Sequence, residues 1–411
     1  MNLYLYEDEN IKNLIPLVQL RPVFDLLSGT TTLLEKILKL YSGESVILLV
    51  REELAPMVKE KYPNLSCNEM GKGGLFLSGR ALFNEKIPLV GKEEVFQCEG
   101  EIIGFRIGTK LLTEQELILP LSERDLKDWL IDLPRKEVKA KIIRYPWNLI
   151  EWNGALIVEE FKMMSRKGKI KGELNQKAVL EGNQKFISMG NGSRVGPFCL
   201  LDLTKGPILI ERDVEIRPPT LIEGPVFIGE GTLIDGAKIR RGTTIGPVCR
   251  IAGEVEETIF QGYTNKHHEG FLGHSYIGEW VNLGAGTTNS DLKNNYEEVR
   301  MKIGEKEINT GLIKVGCFIG DHTKTAIGTL IPTGAIFGIF SNLFGGEGMS
   351  PKFLPSFSWG TKEPISPYRI EEAMETAKKV MERRGVKMSP AYEDLIRKTY
   401  SKYHPSAVRM I

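Results

Sequence analysis

The sequence predicts an α/β domain over residues 1–175, a left-handed parallel β-helix over residues 176–348, and an extended segment with a helical C-terminal tail over residues 349–411. Three observations support this division. The chain has 411 residues, more than one hydrophobic core usually holds. Short β-rich runs alternate with helical patterns in the first region. Aliphatic residues recur every six positions in the second, a period typical of hexapeptide β-helices.

The first region alternates strand-like and helix-like segments. Leu3–Tyr6 and Val46–Val50 have the composition of strands, and residues 32–41 between them have a helical pattern. Thr32 and Glu35 form a capping-box pair, in which each side chain can satisfy a free backbone amide of the first turn. We therefore expect a helix to begin here, within an α/β fold.

The second region carries two registers of inward-facing residues. The first register consists of Ile210, Ile216, Ile222, Ile228 and Ile234, followed after one five-residue step by Ile239, Ile245 and Ile251. The second consists of Ile313, Ile319, Thr325, Ile331 and Phe337. Three six-residue edges make one triangular turn, and each turn buries its apolar face only by stacking on its neighbours. We expect this prism from about Gly190 to Gly345.

The six-residue register stops after about residue 345, where glycines accumulate. The aromatic-rich segment Pro351–Gly360 is expected to lie extended on the wall of the prism. A terminal helix is predicted with Ser366 as N-cap and Pro367 at its first position, followed by a shorter helix from Pro390 to about residue 400. We expect this tail to cap the prism or to pack on a neighbouring subunit.

Composition excludes several classes of partner. The chain has 54 Lys and Arg against 53 Asp and Glu, so its formal charge of +1 provides no field to attract nucleic acid or an anionic membrane. The five cysteines form no CxxC pair, which argues against a disulfide framework and favours buried thiols. No run of about 18 apolar residues occurs. We expect a soluble, cytoplasmic protein whose partners are small molecules.

The first break in the register runs from Gln261 to His274 and contains three of the five histidines. A solenoid places such a polar loop outside its stack, where the loop can line a site. Acyl transfer from a thioester to an amine needs a base, and neutral imidazole can accept a proton near neutral pH. His268 is the candidate base and His267 its neighbouring competitor. The histidine spacing matches no strong metal-binding motif, so the metal remains unassigned.

The second break runs from Thr287 through Tyr296 to Thr310. Its asparagines, tyrosine and lysine supply the neutral and polar groups that a sugar or a pantetheine amide would need. Grooves form where adjacent prisms meet, so we expect a cyclic homotrimer with sites between its subunits.

Several motifs together resemble one bacterial family over nearly the whole chain. They comprise Arg21–Leu26, Tyr145–Leu149, Gly262–Lys266, Gly273–Trp280, Asn282–Thr287 and Pro351–Gly360. These segments are similar to two-domain proteins related to the bifunctional N-acetylglucosamine-1-phosphate uridyltransferase/glucosamine-1-phosphate N-acetyltransferase. In that family a nucleotidyltransferase-like domain precedes a hexapeptide-repeat acyltransferase domain, which takes acetyl-CoA as co-substrate.

The resemblance implies roles for residues of the two breaks. His268 stands five residues before Gly273, as the catalytic histidine of the family does before its glycine. Asn282 is the implied sugar contact, and Ala285 the implied acetyl-CoA contact. The remaining implied contacts are Asn265 and Lys266 for the substrate, and Asn295 and Tyr296 for acetyl-CoA.

The N-terminal region departs from the family pattern. Nucleotidyltransferases wrap a nucleoside triphosphate with a glycine-rich loop, and none stands between Leu14 and Leu20. Arg21, Asp25 and Lys36 stand where later parts of the nucleotide site would be. If this domain acts, Mg²⁺ must neutralise the triphosphate, with Asp25 as an expected ligand.

Two further departures leave the acceptor sugar open. Glu256 stands where the family has a phosphate-binding lysine, and Phe271 where it has a tyrosine. The leading hypothesis is transfer of an acetyl group from acetyl-CoA to an amino sugar phosphate or a sugar nucleotide. One alternative is a sugar-1-phosphate nucleotidyltransferase whose β-helix serves only to trimerise. Another is a sugar-nucleotide-binding scaffold without catalysis.

Overall fold

The computed structural model describes residues 2–109, 118–346, 348–361 and 364–403. An α/β domain is followed by a parallel β-helix and two C-terminal helices, as predicted. The α-helices are α1 (Leu33–Leu40), α2 (Ala55–Lys61), α3 (Glu123–Trp129), α4 (Pro146–Met163), α5 (Ile370–Glu382) and α6 (Pro390–Tyr403). Short 3₁₀ helices span Glu9–Leu14, Val23–Asp25, Glu52–Leu54 and Gln184–Phe186.

The N-terminal domain is built on a mixed seven-stranded sheet. In spatial order its strands are Arg135–Glu137, Glu94–Cys98, Glu101–Ile107, Gly74–Ser78, Asn2–Tyr6, Val46–Leu49 and Ser66–Cys67. The last four strands are parallel, so their carboxyl ends meet at one edge. Helix α1 begins with the expected capping box between Thr32 and Glu35. Two small antiparallel pairs join Leu27–Ser28 to Thr31–Thr32 and Ala81–Phe83 to Ala140–Ile142.

The β-helix has three faces, and each turn of the prism is here called a coil. The first face is a nine-stranded parallel sheet that packs against the N-terminal domain. Its strands are Ile187–Met189, Ile208–Ile210, Val226–Ile228, Thr243–Ile245, Ile259–Phe260, Tyr276–Ile277, Cys317–Ile319, Ala335–Phe337 and Phe353–Leu354.

The second and third faces share two long strands, Leu233–Ile239 and Arg250–Glu256, which turn the corner between them. The other strands of the second face are Glu173–Leu174, Arg194–Val195, Glu215–Arg217, Asn265–Lys266, Lys324–Thr325, Asn342–Leu343 and Ser358–Trp359. Those of the third face are Val179–Glu181, Leu200–Asp202, Leu221–Glu223, Phe271–Gly273, Thr288–Asn289 and Leu330–Ile331.

The interior of the prism follows the predicted registers. All eight isoleucines of the first register belong to one buried cluster, each at most 1% exposed. Ile319, Ile331 and Phe337 of the second register are fully buried too. Ile313 was wrongly assigned to this register. It is 51% exposed, because it belongs to a segment that leaves the prism.

That segment, residues 290–314, is here called the insertion. It leaves the third face after Thr288–Asn289 and returns to the first face at Cys317–Ile319. Within it, Arg300–Ile303 and Lys306–Asn309 form an antiparallel hairpin. The second break of the register is therefore a folded excursion of the chain.

The prism continues further than the glycine cluster suggested. Phe353–Leu354 and Ser358–Trp359 form the last coil, so Pro351–Gly360 extends the stack. The prediction for Ser366 and Pro367 was wrong: they pair antiparallel with Ser358–Trp359. Helix α5 begins later, with Arg369 at its N-cap, because the preceding residues are held in this sheet.

One hydrophobic cluster joins the N-terminal domain, the outer side of the first face and the C-terminal helices. It includes Phe24 of the first domain, Tyr276 of the prism and Leu395 of α6. The five cysteines are buried and unpaired, as expected. Among the described residues, no helix has both the length and the apolarity to cross a membrane.

Candidate active site

The first break folds as a corner between the second and third faces. Strand Asn265–Lys266 leads into it, residues 267–270 form what is here called the histidine loop, and Phe271–Gly273 leads out. Both strands pair with Arg250–Glu256 of the preceding coil. Gly270 has a φ of +129°, and a Cβ there would lie 2.1 Å from the carbonyl oxygen of Thr287. The loop therefore packs tightly on the following coil.

His268 is exposed at the tip of this corner. Its ring meets that of His267 edge-on, with 5.6 Å between the ring centroids. Among the described residues, none hydrogen-bonds the imidazole of His268. His267 is less free, because its Nε2 lies 3.4 Å from Oδ2 of Asp235. Of the two adjacent histidines, His268 is thus the one whose ring nitrogens are available to a ligand.

Lys266 does not face solvent. It is 2% exposed, and its Nζ donates hydrogen bonds to the carbonyl oxygens of Ala252 at 2.9 Å and His268 at 3.0 Å. Burial lowers the pKa of the Lys266 ammonium to about 8, partly offset by Glu269. The side chain expected to contact substrate therefore supports the histidine loop from inside.

Three other predicted residues surround the same corner. Asn282 is exposed on the following coil, and its Oδ1 accepts from Nδ2 of Asn265 at 3.3 Å. Asn265 also accepts from Arg384, which follows α5, at 2.6 Å. Ala285 lies at the next corner of the stack, where the amide of Gly286 donates to the carbonyl of Glu269. His268, Asn265, Asn282 and Ala285 are thus brought together on two adjacent coils.

A cavity of about 210 Å³ runs beside the histidine loop on the third face. It is lined by Gly236, Lys238, Gly253, Glu254, Glu269, Gly270 and Phe271. Glycines keep its floor at the level of the backbone, and charged side chains form its rim. This surface can take an extended polar ligand beside Glu269 and Gly270 of the histidine loop.

Asn295 and Tyr296 do not join this corner within one chain. Both are exposed on the insertion, and Tyr296 is 68% exposed with a φ of +56°. Asn295 accepts from the amide of Glu297, so its side chain caps a turn. The insertion leaves the prism at a different corner from the histidine loop.

A second histidine cluster lies at the neck of the insertion. Nδ1 of His274 is 2.7 Å from Asp291, and its Nε2 is 3.4 Å from Glu257. Burial opposes charging of His274, but the bonds to both carboxylates outweigh it and raise its pKa to about 9. His274 and Glu257 line a cavity of about 240 Å³ with Trp147 and Lys314. His274 thus ties the start of the insertion to the preceding coil.

This ion cluster predicts a pH dependence of stability. The folded-state pKa of His274 exceeds the ordinary histidine value of 6.5, so its contribution is complete below about pH 6.5 and is lost as the pH rises through about 9. A shift of this size corresponds to roughly 3 kcal/mol. We expect His274→Gln to remove this loss, so that the free energy of unfolding differs between variant and wild type at pH 6 but not at pH 10. Equal differences at both values would contradict the assignment.

In the N-terminal domain, the three predicted nucleotide contacts already have protein partners. Arg21 pairs with Asp321 at 2.6 Å and Glu279 at 3.3 Å, both in the prism. Asp25 is fully buried and accepts hydrogen bonds from Lys61 and Tyr62. Nζ of Lys36 donates to Glu160 and to Ser28 and Thr31. These side chains fix the domain internally and against the prism.

The carboxyl edge of the parallel strands is where ligands bind in open α/β sheets. Here it is occupied by two ion pairs. Glu7 accepts from Nε of Arg51 at 3.1 Å, and Asp8 from Nε of Arg80 at 2.7 Å. Glu7 is fully buried and Asp8 is 5% exposed.

Mg²⁺ prefers carboxylate ligands that keep room for water and phosphate. Asp25, the expected ligand, has both oxygens bonded to Lys61 and Tyr62, and the edge carboxylates are neutralised by arginines. No group of three or more His, Cys, Asp or Glu suited to a metal ion occurs within the described ranges. The residues present do not fit a magnesium-triphosphate site.

Several of these contacts have no signal in the sequence. Arg384 is 119 residues from Asn265, and no spacing rule relates a tail helix to a coil corner. The bond between His274 and Asp291 joins the two register breaks, which sequence reasoning treated separately. His322 is buried, stacks on Phe340 at 4.5 Å between ring centroids, and bonds to Tyr392. Only the packing of α6 on the prism reveals this environment.

Comparison with known proteins supports a relationship for each part of the chain. Residues 3–169 match the family model described as sugar nucleotidyl transferase. A bifunctional sugar-1-phosphate nucleotidylyltransferase/acetyltransferase from Sulfurisphaera tokodaii is 29% identical over 257 residues, covering 59% of this chain and 56% of that relative. The bifunctional protein GlmU of Wigglesworthia glossinidia brevipalpis is 27% identical over 162 residues, covering 39% and 31% respectively. The chain thus spans about a third to just over half of the length of these relatives.

Two solved structures also align with part of the chain. The Francisella novicida UDP-N-acetylglucosamine acyltransferase has 13% identity and a TM-score of 0.32, over 56% of this chain and 78% of its own. The Campylobacter jejuni UDP-N-acetylglucosamine acyltransferase has 11% identity and a TM-score of 0.21, over 55% and 95%. Scores this low support no conclusion about this chain.

Proposed function

Because residues 3–169 form a domain of the sugar nucleotidyl transferase family and the chain is related to bifunctional nucleotidylyltransferase/acetyltransferases, we propose that it is an acetyltransferase of amino-sugar nucleotide biosynthesis. It transfers an acetyl group from acetyl-CoA to an amino sugar phosphate or a sugar nucleotide. The observation that carries the proposal is the exposed imidazole of His268 at a corner where the next coil stacks Asn282 on Asn265 and Gly286, next to Ala285, on Glu269. The S. tokodaii relative is named for an acetyltransferase activity.

In this mechanism, His268 removes a proton from the acceptor amine while the amine nitrogen attacks the thioester carbonyl. The carbon–sulfur bond then breaks, and the proton passes from the imidazole to the departing thiolate. Asn282 and Asn265 offer amide donors and acceptors to the sugar hydroxyls from the second face. The cavity beside the histidine loop, with Lys238, Glu254 and Glu269 on its rim, offers charged partners to the polar groups of a ligand.

The site is completed by neighbouring subunits in a homotrimer. Asn295 and Tyr296 are exposed on the insertion. The insertion leaves the prism at another corner than the one that carries His268. In a three-fold arrangement, the insertion of one subunit can face the histidine loop of the next. Acetyl-CoA then lies in the groove between two prisms, near Ala285 of one subunit and Tyr296 of its neighbour.

Nucleotidyl transfer is the rival function, and the filled carboxyl edge argues against it. Two buried arginine–carboxylate pairs stand where a triphosphate and its metal would bind. We expect no release of pyrophosphate from any nucleoside triphosphate with a sugar 1-phosphate and Mg²⁺. Turnover in a coupled pyrophosphate assay would contradict this expectation and would restore the rival.

The acetyltransferase proposal is tested by measuring free thiol from acetyl-CoA. The full chain is incubated with glucosamine 1-phosphate, glucosamine 6-phosphate or an amino-sugar nucleotide, and the product is identified by a mass increase of one acetyl group. We expect thiol release that depends on one of these amines. Acceptor-independent release alone would overturn the proposal. Tight binding of a sugar nucleotide without turnover would instead favour the scaffold alternative.

A further inference from the structure

Lys266 occupies a position where the four preceding coils place aliphatic side chains. The register runs from Val195 through Ile216 and Ile234 to Ile251, and Lys266 is the next member of this column. The first four are at most 2% exposed, and Lys266 is 2% exposed as well. An ammonium thus stands in an apolar column, where burial of a charge is costly unless it is hydrogen-bonded.

The ammonium of Lys266 makes two hydrogen bonds to backbone oxygens. One bond reaches Ala252 on the preceding coil at 2.9 Å, and the other reaches His268 in the histidine loop at 3.0 Å. Gly253 makes room for it, because a Cβ there would lie 2.7 Å from Nζ. Gly253 also has a φ of +72°, which disfavours any other residue. The buried charge therefore connects the loop to the coil below through the carbonyl of His268 itself.

We propose that Lys266 is a positioning residue for acyl transfer: by fixing the carbonyl of His268, it determines where the exposed imidazole stands. The inference rests on the proposed function and adds a residue to its machinery. Lys266 does not touch the substrate. It acts through the backbone of the base, whose ring contacts that of His267 but accepts and donates no hydrogen bond among the described residues.

If Lys266 served only to stabilise the fold, Lys266→Met would be less stable than wild type. The physics of buried charges predicts otherwise. An apolar residue of similar length fills the column without a desolvation cost, and replacing buried charged groups by apolar ones is often neutral or stabilising. Lys266→Met should therefore fold and be at least as stable as wild type. If the charge serves the loop, the variant loses turnover while keeping its stability.

The pH dependence of turnover and of stability also distinguishes a positioning role of Lys266 from a purely structural one. Burial lowers the pKa of Lys266 to about 8, with Glu269 opposing. The other charged or titratable groups around this corner are His267, His268, Asp235, Lys238 and Glu254. Above about pH 8 the ammonium becomes neutral in the folded state and its charge-assisted bonds weaken. Stability then rises with pH, because the unfolded chain binds more protons, while turnover falls.

The experiment compares Lys266→Met with Lys324→Met. Lys324 is the matched control, because burial lowers its pKa to about 8 and its Nζ donates to the carbonyl of His322 at 2.9 Å instead of to the histidine loop. We measure kcat, KM for acetyl-CoA, the pH profile of kcat, and amide hydrogen exchange of residues 267–270. We expect Lys266→Met to lower kcat about 10- to 100-fold with little change in KM. The alkaline decrease of kcat through about pH 8 should disappear, and exchange of the loop should accelerate.

Two outcomes would overturn the inference. One is a Lys266→Met variant with wild-type kcat and unchanged exchange in the loop, and the other is an equal loss of kcat in Lys324→Met. Failure of the proposed function is distinguishable, because the exchange measurement needs no substrate. If wild type releases no thiol with any amine and the loop still loosens in Lys266→Met, acyl transfer fails while the support of the loop by Lys266 stands.

Discussion

Replacing His268 by alanine is expected to lower kcat for acetyl transfer by roughly 10²- to 10⁴-fold, the usual contribution of a general base. The imidazole is the proposed acceptor of the amine proton, whereas Nε2 of the neighbouring His267 lies 3.4 Å from Asp235. His268 is exposed, so its removal leaves the prism intact. Initial rates of thiol release at saturating acetyl-CoA check the prediction, with KM for acetyl-CoA little changed.

His267→Ala is the matched control for this prediction. It removes the neighbouring imidazole and its contact with Asp235 at the partly exposed edge of the same loop. We expect kcat to stay within a few-fold of wild type. If His267→Ala causes the large loss and His268→Ala does not, the roles of the two histidines are exchanged. If neither variant changes the rate, the base lies elsewhere and the mechanism fails.

Much of the prism could be predicted because its physics is periodic. Each coil repeats the same inward position, so the spacing of Ile216, Ile234 and Ile251 alone predicts the fold. A departure from the period also located the histidine loop, although the strands on both sides of it, Asn265–Lys266 and Phe271–Gly273, stay in the stack. The position of this corner could thus be predicted from the sequence, whereas the ligand contacts of its residues stay a prediction.

The six-residue period did not predict the surroundings of several side chains. Lys266 follows Ile251 in the inward column, so its burial could have been inferred from register, yet its polarity suggested a surface role. Ile313 fits the spacing by coincidence and lies outside the prism. Contacts between distant parts of the chain, such as Arg384 with Asn265, leave no trace in local spacing. Sequence reasoning therefore places a site more reliably than it assigns its side chains.

In the N-terminal domain, too, a sequence motif did not predict the partners of its charged residues. Arg21 and Asp25 stand in a motif that resembles part of a nucleotide site, and their charges suggested phosphate and metal contacts. In the structure both residues are turned to the interior. Their partners lie in the prism and in α2 with its C-cap, tens or hundreds of residues away. The motif thus stabilises an interface between domains, which its local sequence does not disclose.

That interface predicts the largest stability effect in the molecule. The side chain of Arg21 is 6% exposed and that of Asp321 is 1% exposed, and Glu279 approaches the same guanidinium. Burial raises the pKa of Asp321, and the charge of Arg21 opposes this shift. Arg21→Met leaves buried carboxylate without its cation, and breaking such a pair costs about 3–5 kcal/mol. We expect a loss of this size in the free energy of unfolding, measured by urea titration at pH 7.

Two further variants make this prediction specific. Arg217→Met removes an exposed arginine paired with Glu215, and water screens such surface pairs, so little change in stability is expected. The backbone amide of Glu279 donates to Oδ1 of Asp321 at 2.7 Å. Asp321→Asn removes the charge but keeps an oxygen that can accept this bond. Combined with Arg21→Met, it should recover part of the lost stability, because the uncompensated charge is gone. A double variant that is as unstable as the sum of the single ones would show that the two side chains act independently, and the pair would then not be what holds the first domain against the prism.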